Sequence, residues 1–191
     1  MRYQYSTAQW LPHPVELVFA FFANPENLPR LMPRWQKARI EEANFVAPPP
    51  RPEGAPRYPG MVAGANTRLL ISARPFPYSP VRAPWCAMIE DFRWNQGFCD
   101  VQLSGPFRYW RHCHSVTSAP DPDSGRPGTL LRDEVIYELP LGLGNLTDKY
   151  IAHRAFEYTF HYRQRRAAEL LAMVTKHPMS PKQIATEKQN G

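Results

Sequence analysis

Phe98-Cys99-Asp100-Val101-Gln102-Leu103-Ser104-Gly105-Pro106-Phe107-Arg108-Tyr109-Trp110-Arg111-His112-Cys113-His114-Ser115-Val116, followed by Leu131-Arg132-Asp133-Glu134-Val135-Ile136-Tyr137-Glu138-Leu139, decides the fold. Successive residues of a strand point to opposite faces, so each run is read in steps of two. The first run puts Phe98, Asp100 and Gln102 on one side, the second Trp110, His112, His114 and Val116. The third puts Leu131, Asp133, Val135, Tyr137 and Leu139 there. The alternate positions hold Arg111, Ser115, Arg132, Glu134 and Glu138, which seek water. A face that mixes acids, imidazoles and aromatics with aliphatic residues reads as a cavity wall rather than a plain core.

The turns between the runs restrict the register. Ser104-Gly105-Pro106 reads as a tight turn, and residues 121–128 as a polar loop. A hairpin centred on Pro106 sets Asp100 opposite His112, and a loop centred near Asp123 sets Asp133 opposite His112 or His114. An inward carboxylate must be paired, hydrogen-bonded or protonated, because a lone buried charge is costly. Asp–His pairs on the cavity face are therefore expected.

The elements on either side follow from periodicity and breakers. Residues 3–9 alternate as a strand. His13-Pro14 opens a helix whose apolar face is Val15, Val18, Phe19 and Phe22. Asn24-Pro25-Glu26 caps a second short helix through Leu28 and Leu31, ended by Pro33. Strands are expected over residues 37–46, 67–73 and 85–92, separated by proline-rich connections at 47–60 and 74–84. Residues 146–176 hold neither Pro nor Gly and carry His153, Phe156, Phe160, Ala167, Leu171 and Val174 at helical spacing. Arg163 and Gln164 interrupt that apolar stripe, and the basic residues read as its solvated side.

Composition narrows the function classes. At 191 residues the chain holds one domain, over 1–178, followed by a polar tail over 179–191. No apolar run reaches the roughly 18–20 residues of a membrane span. The apolar stretch at 15–23 has no basic leader, so no secretory signal is read and cytoplasmic residence is expected. The net charge of +6 is scattered over loops and the last helix rather than gathered in an aromatic-interleaved stripe, which argues against nucleic acid. Cys86, Cys99 and Cys113 fit no disulfide framework or zinc spacing. Cys99 and Cys113 would be opposite one another, or diagonal, according to the turn centre, and free thiols are the expectation.

Trp10-Leu11-Pro12, Val18-Phe19-Ala20-Phe21-Phe22, Asn24-Pro25-Glu26-Asn27-Leu28 and Pro33 resemble the opening of SRPBCC (START-like) proteins. This superfamily takes in lipid-binding domains, polyketide cyclase/dehydrases and birch-pollen-allergen-like proteins. The runs at 98–102 and 110–114, with Gly128-Thr129-Leu130, Leu139-Pro140-Leu141-Gly142 and Phe160-His161-Tyr162-Arg163, resemble an uncharacterised bacterial branch. The resemblance covers roughly residues 3–172. It implies an α+β helix-grip fold: a curved antiparallel sheet of about seven strands wrapped round a long C-terminal helix, with two short helices after the first strand.

In that fold the concave face meets the long helix and encloses a cavity. The apolar wall is expected from Phe19, Phe22, Trp110, Val135, Leu139, Phe156 and Phe160, and the polar end from Asp100, Gln102, His112, His114, Asp133 and Tyr137. The first functional expectation is binding, transport or sequestration of a small, largely apolar ligand with a polar end. A second is a cyclase- or dehydratase-like enzyme in which His112, His114 and Asp133 supply a general base, with Tyr137 or Gln102 bonded to an enolate oxygen. A third is a ligand-free regulatory module with a collapsed cavity. His112 and His114 with Asp100 or Asp133 have the facial-triad pattern of a metal site. Helix-grip proteins rarely need a metal, so no metal and no cofactor are expected. The expected oligomeric state is a monomer or weak homodimer, without stable membrane insertion.

Overall fold

The computed structural model describes residues 1–58, 60–140 and 151–176. The expected start of the last helix at 146–150 and the tail at 179–191 lie outside the described residues, as does Pro59.

Seven strands form one antiparallel sheet: β1 (Tyr3–Leu11), β2 (Arg39–Asn44), β3 (Arg68–Ala73), β4 (Ala83–Arg93), β5 (Gly97–Ser104), β6 (Tyr109–Pro120) and β7 (Pro127–Glu138). Their spatial order is β1-β7-β6-β5-β4-β3-β2, so β2 to β7 run as a meander and β1 closes against the last strand. Two short helices follow β1: α1 (Val15–Phe22) and α2 (Leu28–Leu31), joined by a 3-10 turn at Pro25–Asn27. Asn24 caps that turn by accepting the Glu26 amide on its side-chain oxygen at 3.1 Å. The long helix α3 (His153–Lys176) completes the helix-grip arrangement.

Packing explains how α3 is held. Its residues Ala167, Leu170 and Leu171 join Leu17, Val18, Phe21, Leu31 and Leu131 in one buried cluster. Nearer its start, Phe156 and Phe160 pack with Tyr5, Trp110, Val135, Tyr137 and Leu139 in a second. Between the two clusters, Gln164 reaches the edge strand, donating to Thr7 Oγ1 at 2.9 Å, while Gln9 donates to the Gln164 carbonyl at 3.0 Å. The polar break in the helical stripe is thus a tether to β1, whose outer edge has no strand partner among the described residues.

The cysteines correct an expectation. Cys99 and Cys113 are paired directly across β5 and β6 and form a disulfide, and Cys86 is free. Of the two turn centres, the one on Pro106 holds, and it brings the two sulfurs face to face on the strand side away from the histidines.

Candidate functional site

The register places the polar residues. Asp100 faces His112 across β5 and β6, and His114 faces Asp133 across β6 and β7. Gly97, at the start of β5, pairs with Ser115, and a Cβ at position 97 would collide with the His114 carbonyl oxygen. Glycine therefore lets β5 close on β6 beside the histidines.

Asp133 is the hub. Its Oδ1 accepts from His112 Nε2 at 2.9 Å, and His114 Nδ1 lies 2.6 Å from the same oxygen. The second contact is short but too bent for a well-aligned hydrogen bond. All three side chains are buried. The opposite ring nitrogens turn to Asp100: His112 Nδ1 is 3.5 Å and His114 Nε2 3.8 Å from Asp100 Oδ1. Asp100 Oδ2 accepts from the Trp110 indole at 3.2 Å. From α3, Arg163 brings Nη2 to 3.3 Å from His114 Nε2.

The electrostatics follow from this crowding. Burial pushes His114 down to a pKa of about 4, helped by His112 and Arg163 and opposed by Asp133. Its ring is therefore neutral at neutral pH, with the proton placed at Nδ1 beside the carboxylate and Nε2 left to accept from Arg163. Burial would raise the Asp133 carboxyl, but the imidazoles of His114 and His112 and the Arg163 guanidinium reverse that and hold it well below the usual carboxylate range.

These groups form the polar end of a pocket of about 420 Å³ between the sheet and α3. Its walls include Phe22, Leu28, Leu31 and Met32 from the helical segment, and Leu69, Ile71, Trp85, Ala87 and Phe98 from the sheet. Phe107, Trp110, Phe156 and Phe160 complete the apolar side, and Asp100, His112, His114 and Arg163 stand together on it. Gln36 Oε1, Trp85 Nε1 and Arg163 Nε, on three lining residues, are buried without a hydrogen-bond partner.

The sequence profile of the polyketide cyclase/dehydrase and lipid transport family matches residues 11–176. The chain belongs to this family. Solved structures show the same fold at low identity. The crystal structure of Ara h 8.0201 is 11% identical with a TM-score of 0.59, over 91% of this chain and 99% of that one. That of TTHA0849 from Thermus thermophilus is 17% identical with a TM-score of 0.55, over 88% and 99%. At these identities the likeness concerns the fold alone. Among functionally curated proteins none is significantly similar to the chain.

Of the residues expected at the site, Phe22, Asp100, Trp110, His112, His114, Phe156 and Phe160 line the pocket of this family member. Asp133 stands behind the histidines rather than on the wall. Phe19, Val135, Tyr137 and Leu139 are core: Phe19 packs on Phe92, Trp94 and Phe98, and Tyr137 on Phe107 and Phe156. Val135, Tyr137 and Leu139 lie in the buried cluster with Phe156 and Phe160 of α3. Gln102 closes the β5–β6 turn instead, donating to the Phe107 carbonyl at 2.6 Å and accepting the Phe107 amide at 3.3 Å. The same turn residue therefore lies outside the pocket lining.

Arg163 is the pocket residue that strand periodicity missed. The signal was present: Phe156, Phe160, Arg163 and Ala167 recur at helical spacing, which puts Arg163 on the inward stripe. Reading it as solvated relied on its charge alone. His153, whose ring lies 5.4 Å from that of Tyr5, stands outside the pocket, and His161 is exposed. Among the described residues no helix is long and apolar enough to cross a membrane.

Proposed function

We propose that this protein binds a small, largely apolar molecule whose polar end sits against Asp100, His112, His114 and Arg163. The observation that carries the reading is a largely aliphatic and aromatic pocket lining that includes a tight cluster of Asp100, His112, His114 and Arg163, with Gln36 and Arg74 as its other polar residues. The partnerless Trp85 Nε1, Gln36 Oε1 and Arg163 Nε support it, since a buried polar atom without a partner costs about 1–3 kcal/mol that an occupant's donor or acceptor relieves. Membership of a family described by lipid transport as well as cyclisation agrees with it.

General-base turnover is the weaker reading. A base works best with a pKa near the working pH, whereas His114, the imidazole whose free nitrogen faces Arg163, is pushed down to about 4. Its neutral ring suits accepting or donating a hydrogen bond better than removing a proton from carbon.

Native mass spectrometry of the purified protein, set against its denatured mass, tests the reading. A retained or added small molecule is expected, and Ala87→Trp, which fills the pocket from β4, should abolish it. An adduct that survives Ala87→Trp would place binding elsewhere. Loss of binding in Ala87→Trp together with normal binding in Arg163→Met and Asp100→Asn would reject the polar-end assignment.

A further inference from the structure

We infer that Asp100, His112 and His114 form a binding site for one divalent first-row transition-metal ion at the polar end of the pocket. Strand periodicity offers no reason to prefer this to an Asp–His network. The orientation of the side chains does.

Each of the three groups offers one atom toward a common point and has its other polar atom held from behind. His112 offers Nδ1 while its Nε2 is bonded to Asp133. His114 offers Nε2 while its Nδ1 lies against the same Asp133 oxygen. Asp100 offers Oδ1 while its Oδ2 accepts from the Trp110 indole. The three offered atoms all lie within 4.8 Å of one another, with Asp100 Oδ1 at 3.5 and 3.8 Å from the two nitrogens. Ligands about 2.0–2.2 Å from a zinc-like ion stand roughly 3–3.5 Å apart, so relative shifts of a few tenths of an ångström up to about 1.5 Å complete the site.

A carboxylate behind each ligating imidazole is how metal sites fix ring orientation and tautomer. His112 Nδ1 and His114 Nε2 both face one Asp100 oxygen, at 3.5 and 3.8 Å, although Arg163 also stands at His114 Nε2. Two imidazoles and one carboxylate favour zinc, iron(II), cobalt(II) or nickel(II) over magnesium or calcium, and leave at least one position for water or for the polar end of a pocket ligand.

Arg163 opposes the ion in the arrangement described, because its Nη2 stands at His114 Nε2. No carboxylate lies within ion-pair distance of it among the described residues and its Nε has no hydrogen-bond partner, so it is held by the His114 contact and by the Phe22 and Phe160 rings, 5.5 and 6.0 Å from the guanidinium. On metal binding it turns aside and can meet an anion on the open position. This inference is independent of whether the pocket takes an organic molecule, since the metal alone is the probe.

The test is titration of chelator-treated full-length protein with cobalt(II), read by its visible ligand-field absorption, and with zinc in competition against a chromophoric chelator. One ion per chain is expected, with absorption of a four- or five-coordinate site. Asp100→Asn keeps an oxygen for Trp110 and should weaken binding at least 100-fold while leaving the thermal midpoint near that of the parent. Trp110→Phe, behind the ligand shell, should weaken it about 10–100-fold. Arg163→Gln should tighten it. Failure to bind one ion per chain, or binding unchanged in Asp100→Asn, overturns the assignment.

Discussion

Asp133 on β7 and His114 on β6 face each other as a cross-strand pair, with His114 Nδ1 2.6 Å from Asp133 Oδ1 and both side chains buried. Because His112 binds the same oxygen, one carboxylate holds two imidazoles. The stability of the site and its response to acid both depend on this sharing.

Removing the Asp133 charge leaves the His112 and His114 N–H groups facing a neutral amide in place of the shared carboxylate oxygen. Breaking a buried charged network from one side costs about 3–5 kcal/mol. Asp133→Asn should lower the urea midpoint by a corresponding amount without changing the slope of the transition. Asp100→Asn, at the half-buried end of the cluster, should cost less than about 1 kcal/mol. Equal costs for the two would mean that Asp133 is not the hub.

Acid should weaken the fold of the chelator-treated protein from just below neutrality. His114 is depressed from 6.5 to about 4, so between those values the unfolded chain binds a proton that the folded chain refuses, and stability falls as pH falls. Asp133 is depressed too, so its contribution, present above the ordinary carboxylate range, is lost further into acid. A slope of about 1 kcal/mol per pH unit is expected between about pH 6 and 4.5 in denaturant titrations. His114→Gln should flatten it, and a parental slope in that variant would assign the effect to another group.

The Cys99–Cys113 bridge closes a loop of 14 residues in sequence separation, a size for which the chain-entropy treatment gives about 3 kcal/mol. Thiol titration of the denatured, unreduced protein should find one group per chain, Cys86, and three after reduction. Three before reduction would show that the cross-strand pair stays as thiols.

Phe160 is buried, with its ring centroid 5.2 Å from that of Tyr5 and 5.4 Å from that of His112. Phe160→Ala should cost about 3–5 kcal/mol and enlarge the pocket. Calorimetry would read the first effect, and binding of a bulkier apolar probe than the parent accepts would read the second.

Gly97→Ala sets a Cβ against the His114 carbonyl and so opposes the β5–β6 pairing that presents both histidines. It should destabilise the protein more than Gly125→Ala in the polar loop, where a Cβ meets nothing within 4 Å but the positive φ still carries strain. Paired thermal melts compare the two.

The period-two patterns of 98–102, 110–116 and 131–139 and the prolines between elements determined the seven strands, the short helices and the side of the sheet that each residue occupies. They also narrowed the register to a few choices, because a shift of one residue would turn Asp133 and both histidines to water. What they left open was depth. Val135, Tyr137 and Leu139 share the concave side with pocket residues, and only the course of α3 over the sheet decides which of them it covers, while Phe19 on α1 is taken up by Phe92, Trp94 and Phe98.

Contacts between distant segments belong to the tertiary structure as well. Arg163 lies 49 residues from His114 in the chain and 3.3 Å from it in space, and Asp133 serves two imidazoles at once because β6 runs beside β7 and turns both rings toward it. Local periodicity fixes direction within an element. Distance between elements depends on how helix and sheet pack, and the chemistry of this pocket depends on those distances.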